Sequence, residues 1–179
     1  ADMVFLIFAA GARGANPVGY PTNYKIRRGD LLRIDLGTVY KGYESDTARN
    51  ISVGTPSEQV KKAYSTNLKA TSAIVEAMKP GVTLGELWDI GQMTWRTNGF
   101  PEWKRGTYQG HGVGLASHED PDIRPGSKMR LEPGMVFAIE SPLYVDGLGA
   151  FNNEPTVVVT QDGYSYISSL PSNLMIIGE

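Results

Sequence analysis

The sequence predicts an α+β protein. Strand-like apolar runs fall near both ends of the chain, and two amphipathic segments of helical length lie side by side between them. Strands and helices do not alternate as they would in a parallel α/β sheet. The 179 residues fit one domain, long enough to bury a sizeable core.

Met3 to Ala10, "MVFLIFAA", reads as a buried strand. It is too short to cross a membrane, and Asp2 stands where a signal peptide would carry a basic residue. Gly11 to Asn23 is a loop rich in glycine and proline. Leu31 to Tyr40 reads as a strand with Ile34 and Leu36 on one face and Arg33 and Asp35 on the other. A turn at Lys41-Gly42 leads into a returning strand, Tyr43 to Ser52. Ser57 is a candidate N-cap for a helix reaching Met78, with Val60, Ala63, Tyr64 and Leu68 at helical spacing and Lys79-Pro80-Gly81 as the stop. Thr83 opens a second helix that runs to about Thr97. "MVFAIES", "EPTVVVT" and "YSYIS" read as strands, the last two joined by a turn at Asp162-Gly163.

Composition narrows the function. Apolar residues make up 41% and charged residues 20%, as in soluble globular proteins. The net charge is -2 with no basic cluster, which argues against nucleic acid as a partner. No segment suits a membrane. Cysteine is absent, so disulfides, zinc-thiolate sites and cysteine nucleophiles are excluded.

The chemistry points to misplaced carboxylates. Aspartate is depleted in strands, yet Asp35 sits inside "RIDLG" and Asp46 follows eleven residues later. Glu140 ends "MVFAIE" and Glu154 directly precedes "PTVVV". Any one of them alone reads as a strand-end or edge residue in contact with water. Together they are four acids in apolar surroundings, and buried carboxylates are costly unless paired or bound to metal. The chain has two histidines, His111 and His118, both in the glycine-rich "GHGVGLASHED". Four acids and a histidine suit a pair of divalent ions such as manganese, iron(II), cobalt or zinc, ~4 Å apart, able to activate a bridging water and polarise a carbonyl.

The motifs "IDLGTVYKGYESDTAR", "GHGVGLASHEDP", "LEPGMVFAIES" and "EPTVVVTQDG", in that order, resemble the pita-bread metallopeptidase family of methionine aminopeptidase, aminopeptidase P, prolidase and the metal-free creatinase. The resemblance implies a curved antiparallel sheet with helices on its outer face and pseudo-twofold halves. It implies that Asp35 binds one metal, His111 and Glu140 bind the other, and Asp46 and Glu154 bridge both. Glu140 would also be the general base, and His118, outside the metal shell, would donate to the substrate carbonyl or oxyanion.

There are three departures from the family pattern. Val18 stands where family peptidases carry a histidine before the first aspartate. Thr107 stands where proline-specific members carry one before the ligand histidine. The chain also opens without the helical segments that precede the first strand in the family, so residues 1–179 are expected to be one catalytic domain truncated at its N-terminus. Tyr20, Tyr24, Trp95, Trp103 and Tyr108 are candidates for a substrate pocket, against a plainer role in packing.

The expected function is that of a dinuclear metal-dependent hydrolase. It would be an aminopeptidase or Xaa-Pro-type dipeptidase that cleaves a C–N bond by attack of a metal-bridging water. The alternatives are a non-peptide amide hydrolase or lyase, and a non-catalytic peptide-binding module. The resemblance also implies a small peptide or amide substrate, a cytoplasmic location, and a homodimer or association with a missing N-terminal segment.

Overall fold

The structure, a computed structural model, describes residues 2–17, 20–100 and 108–178. Val18, Trp103 and Thr107 lie outside the described residues.

The first sheet begins with β1 (Asp2–Ala10), which pairs antiparallel with β2 (Leu31–Tyr40). Between them, Gly11–Ala15 forms a 3-10 turn inside the expected loop. β3 (Tyr43–Glu44) and β4 (Thr47–Val53) both pair with β2. The single return strand expected over Tyr43 to Ser52 is therefore interrupted at Ser45 and Asp46, where the chain steps out of the ladder. Gly37 makes this step feasible: a Cβ there would lie 2.7 Å from the Ser45 carbonyl oxygen and closer still to the Phe5 ring.

Two helices follow. α1 (Glu58–Glu76) is capped by Ser57, whose hydroxyl accepts from the Val60 amide. α2 (Leu84–Thr97) starts with a full capping box between Thr83 and Glu86. The second sheet contains β5 (His111–Gly112), β6 (Glu119–Asp122), β7 (Val136–Ala138), β10 (Thr156–Val159) and β11 (Tyr164–Tyr166), in the order β11-β10-β7-β5-β6. β8 (Leu143–Val145) and β9 (Gly149–Phe151) form a small hairpin, and β12 (Met175–Ile177) pairs parallel with β4.

The helices cover both sheets. Val60, Ala63 and Tyr64 near the start of α1 pack with Leu31, Leu143, Phe151 and Trp95. Ile74 and Val75 near its end pack with Leu84, Leu87, Phe137, Ile139 and Val157. α1 thus joins two apolar clusters, with the second sheet over its C-terminal half.

Two expectations are corrected. β1 is a half-exposed edge strand rather than a buried one. Met3, Leu6 and Phe8 are 66%, 50% and 49% exposed, because β1 pairs only with β2 among the described residues and only Phe5, Ile7 and Ala9 turn partly inward. On β2 the polar face is the deeper one, since Arg33 and Asp35 are buried while Ile34 and Leu36 are only half-buried. An interior that buries an arginine and an aspartate on one strand face holds something other than an ordinary core.

Candidate metal centre

The two sheets meet at the acidic residues. Asp35 lies mid-strand on β2 and Asp46 in the gap before β4. His111 opens β5, Glu140 lies two residues beyond β7, and Glu154 two residues before β10. Hydrogen bonds tie the two halves together at this seam. The Glu154 amide donates to the Ala48 carbonyl, and the Thr156 hydroxyl donates to the Asp46 carbonyl. The Thr47 hydroxyl and the Arg49 guanidinium both donate to the Glu154 carbonyl, each at 3.0 Å. Gly110, at φ +145°, brings the chain in so tightly that a Cβ would lie 2.8 Å from the Ala138 carbonyl oxygen. His111 therefore enters directly beside β7.

A cavity of about 260 Å³ gathers Asp35, Asp46, His111, Glu140 and Glu154 with His118, Arg33, Tyr108 and Tyr144. His111 Nε2 lies 3.7 Å from an oxygen of each of Asp46, Glu140 and Glu154. These separations are too long for hydrogen bonds. They are close to the roughly 3.4 Å between ligands that sit about 2.1 Å from one ion in a tetrahedron, and the mutually close group among them is Asp46, His111 and Glu154, without Glu140. Asp46, His111 and Glu154 can each offer one atom to such an ion, all within 4.8 Å of one another.

The protonation chemistry agrees with a cation site. His111 Nδ1 lies 3.0 Å from the Gly112 carbonyl oxygen, which can only accept, so Nδ1 carries a hydrogen and Nε2 is the nitrogen that faces the acids. Burial, then the charges of Glu154 and Asp35, push the Asp46 carboxyl up to about 9. Burial and the Glu140 charge hold Glu154 well above the usual carboxylate range. Burial raises Glu140 as well. Asp46 Oδ1 is buried without a hydrogen-bond partner. Crowded buried carboxylates beside an imidazole nitrogen, with an orphaned acceptor among them, form a donor set suited to a cation. The residues fit a divalent ion.

Amide side chains support this cluster from behind. Asn152 Nδ2 donates to Glu140 Oε2 at 2.9 Å, and the Asn152 amide donates to Asn50 Oδ1 at 2.7 Å. Asn67 accepts from the Asn153 amide and donates to the Ser141 carbonyl. The Trp95 indole donates to the Ser141 hydroxyl, which donates in turn to Gln109. Trp95 is therefore core, and its nitrogen braces the segment after Glu140.

His118 stacks on His111 with centroids 3.9 Å apart and rings 7° from parallel. Its Nε2 is paired with Asp122 Oδ1 at 3.0 Å. Burial opposes ionisation of Asp122, yet hydrogen bonds from Arg124 and His118 hold its carboxyl below the usual range. Of the aromatic candidates, Tyr108 stands edge-on to both histidine rings and lines the cavity. Tyr20 and Tyr24 line a different hollow beside β1.

The family model described as "Metallopeptidase family M24" matches residues 2–161. The chain belongs to metallopeptidase family M24. An Xaa-Pro dipeptidase of Pyrococcus furiosus is 38% identical over 169 residues, which is 94% of this chain and 48% of the relative. The crystal structure of dipeptidase PepE from Mycobacterium ulcerans superposes with a TM-score of 0.92 at 35% identity, covering 97% of this chain and 47% of that one. The X-Pro aminopeptidase of Thermotoga maritima also gives 0.92, at 32% identity, covering 98% of this chain and 50% of that one. The M24 chain described here thus spans about half the length of the relatives it matches, and it has their pita-bread fold. Among its described residues no helix is long and apolar enough to cross a membrane.

Arg33 and Tyr144 escaped the sequence reading as site residues. The signal for Arg33 was its place two residues before Asp35, which puts both on one strand face. Tyr144 lies on the β8–β9 hairpin, which was not recognised from the sequence at all.

Proposed function

We propose that this chain forms the catalytic half of a dinuclear metal-dependent dipeptidase or aminopeptidase that cleaves a C–N bond in small peptides in the cytoplasm. The observation that carries the reading is the equal 3.7 Å separation of His111 Nε2 from three buried carboxylates. The relatives named as Xaa-Pro dipeptidase and X-Pro aminopeptidase support the peptide substrate class.

Asp35 would hold one ion, His111 and Glu140 the other, and Asp46 and Glu154 would be shared. Manganese, iron(II), cobalt or zinc suit this mixture of oxygens and one imidazole. A divalent pair in such a site supplies Lewis-acid polarisation of a carbonyl and acidification of a water. Glu140 receives the proton of the attacking water at its carboxylate, held in place by Asn152. His118, held at Nε2 by Asp122, would donate to the carbonyl oxygen from its other ring nitrogen, Nδ1–H, as negative charge develops there. Tyr108 and Tyr144 are kept neutral by burial, which lifts both phenols, Tyr144 to about 12. They remain hydrogen-bond donors at neutral pH.

The test is elemental analysis of the purified chain after loading with manganese or cobalt and removal of free ion, followed by assay of a dipeptide panel. Close to two tightly held ions per chain with turnover of dipeptides supports the reading. A chain that holds no ion overturns it.

A further inference from the structure

Arg33 is a buried cation that the proposed hydrolytic roles leave unused. Its residue is only 4% exposed, and it lines the same cavity as the acids. Nη2 donates to Asp35 Oδ2 at 2.5 Å, and Nη1 reaches the Pro17 carbonyl at 3.2 Å. Nε is buried without a hydrogen-bond partner. The guanidinium lies 5.7 Å from the centre of the Tyr144 ring, within cation–π range.

Charge counting gives this arginine a purpose. The cavity is lined by the four acids Asp35, Asp46, Glu140 and Glu154 and, among the described residues, by no further carboxylate. Two divalent ions would cancel the four acids. Arg33 then remains as one positive charge, desolvated and only partly paired. A buried charge in that state is costly unless an anion completes it. The planar fork of arginine favours a carboxylate over a neutral amide.

We infer that Arg33 is a specificity-determining residue that receives an anionic group of the substrate, a carboxylate of a small peptide, beside the metal pair. The inference rests on the dinuclear reading, because two divalent ions are what balance four ionised acids and leave the Arg33 charge in excess. On this view Arg33 shares Asp35 between two tasks. One oxygen of Asp35 orients the guanidinium, and the other is left for an ion.

The test compares the ion-loaded wild-type chain with Arg33→Met and Arg33→Lys. Each protein is assayed on one dipeptide and on the same dipeptide with its C-terminus amidated, and ion content is measured in parallel. The wild type is expected to favour the free carboxylate by about ten- to a hundredfold in kcat/KM, the worth of one charge-assisted hydrogen bond. Arg33→Met should bring that ratio close to one, chiefly through KM on the acid, with ion content unchanged. Arg33→Lys should restore part of the preference. A merely structural role lowers both substrates together and leaves the ratio intact, which overturns the inference. Loss of an ion in Arg33→Met also overturns it and makes Arg33 a device for holding Asp35. If the wild type hydrolyses neither substrate, the hydrolase reading fails. Calorimetry with the free amino acid product and its amide then still decides the inference, since equal affinity of the ion-loaded wild type for both overturns it.

Discussion

Asp35 and Asp46 lie on neighbouring strand segments and are almost equally buried, at 6% and 7% exposure. Their surroundings differ. Asp35 has a guanidinium at 2.5 Å, whereas Asp46 has an oxygen without a partner and a carboxyl pushed up to about 9 by burial and its acidic neighbours. Equal burial thus goes with unequal partners. One end of the cavity brings its own counter-charge, and the other end leaves its charge for an ion to cancel.

The largest effect should come from breaking the crowded end. Asp46→Ala removes a shared donor from the set around His111, so elemental analysis should find ion binding abolished and turnover lost with it. A variant that still retains two ions would refute the shared role. His118→Ala acts outside that set. It should keep its ions and lose about a hundred- to ten-thousandfold in kcat, the range for a lost proton donor or oxyanion donor. A His118→Ala chain stripped of metal would place His118 among the ligands.

The fold was more legible than the site. Hydrophobic periodicity located both helices, Ser57 is the N-cap expected of it, Thr83 proves to be the N-cap rather than the first residue of the second helix, and β2 falls on Leu31–Tyr40 as read. These signals are local. The β8–β9 hairpin and β12 were missed because each strand is three residues long, too short for a period-two pattern to stand out. The break at Ser45 and Asp46 was missed for a different reason: the close passage of Gly37 is a tertiary fact. At the site, the sequence-based ligand set of Asp35, Asp46, His111, Glu140 and Glu154 is drawn into one cavity. The second layer of Asn50, Asn67, Asn152 and Asn153 was invisible, because a buried asparagine looks like a loop residue until its partners, up to 102 positions away, are known.

The contrast between the two aspartates also predicts the pH behaviour of the metal-free chain. A carboxyl whose value in the folded state is raised favours folding while it is protonated. For Asp46 that contribution is fully present below the unfolded value of 3.8 and is lost as pH rises towards about 9. Glu140 and Glu154 shift in the same direction. Thermal melts in the presence of a chelator should therefore show stability falling from acid to alkaline pH, and saturating ion should flatten the slope. Asp46→Asn sharpens the test, since it should raise the melting temperature of the metal-free chain near pH 8 while destroying ion binding. A metal-free wild type that becomes more stable as pH rises would contradict the crowding.

Behind the acids, Asn152→Ala should cost about 1–3 kcal/mol, because Glu140 Oε2 loses its donor in a buried place. Denaturant unfolding of the metal-free and ion-loaded chains would measure it. The loss should carry over into weaker ion retention, since Glu140 would no longer be held in position.

The smallest effect belongs to a polar cluster at the surface that has nothing to do with the site. Thr83 and Glu86 complete a capping box: the Glu86 amide donates to the Thr83 hydroxyl, and the Thr83 amide donates back to Glu86 Oε2 at 2.7 Å. Those bonds hold the Glu86 carboxyl below its usual range, the opposite direction from the buried acids. Thr83→Ala should cost about 1 kcal/mol and lower the melting temperature by about 2–4 °C. Helix α2 reaches the acid cluster through the Trp95 indole, twelve residues further along and anchored on Ser141. Fraying of the first turn should therefore leave Ser141 and Glu140 in place, and ion content and kcat should match the wild type. A Thr83→Ala chain with reduced ion content would show that the start of α2 is coupled to the acids through its packing. The separation between surface capping and buried charge would then not hold in this molecule.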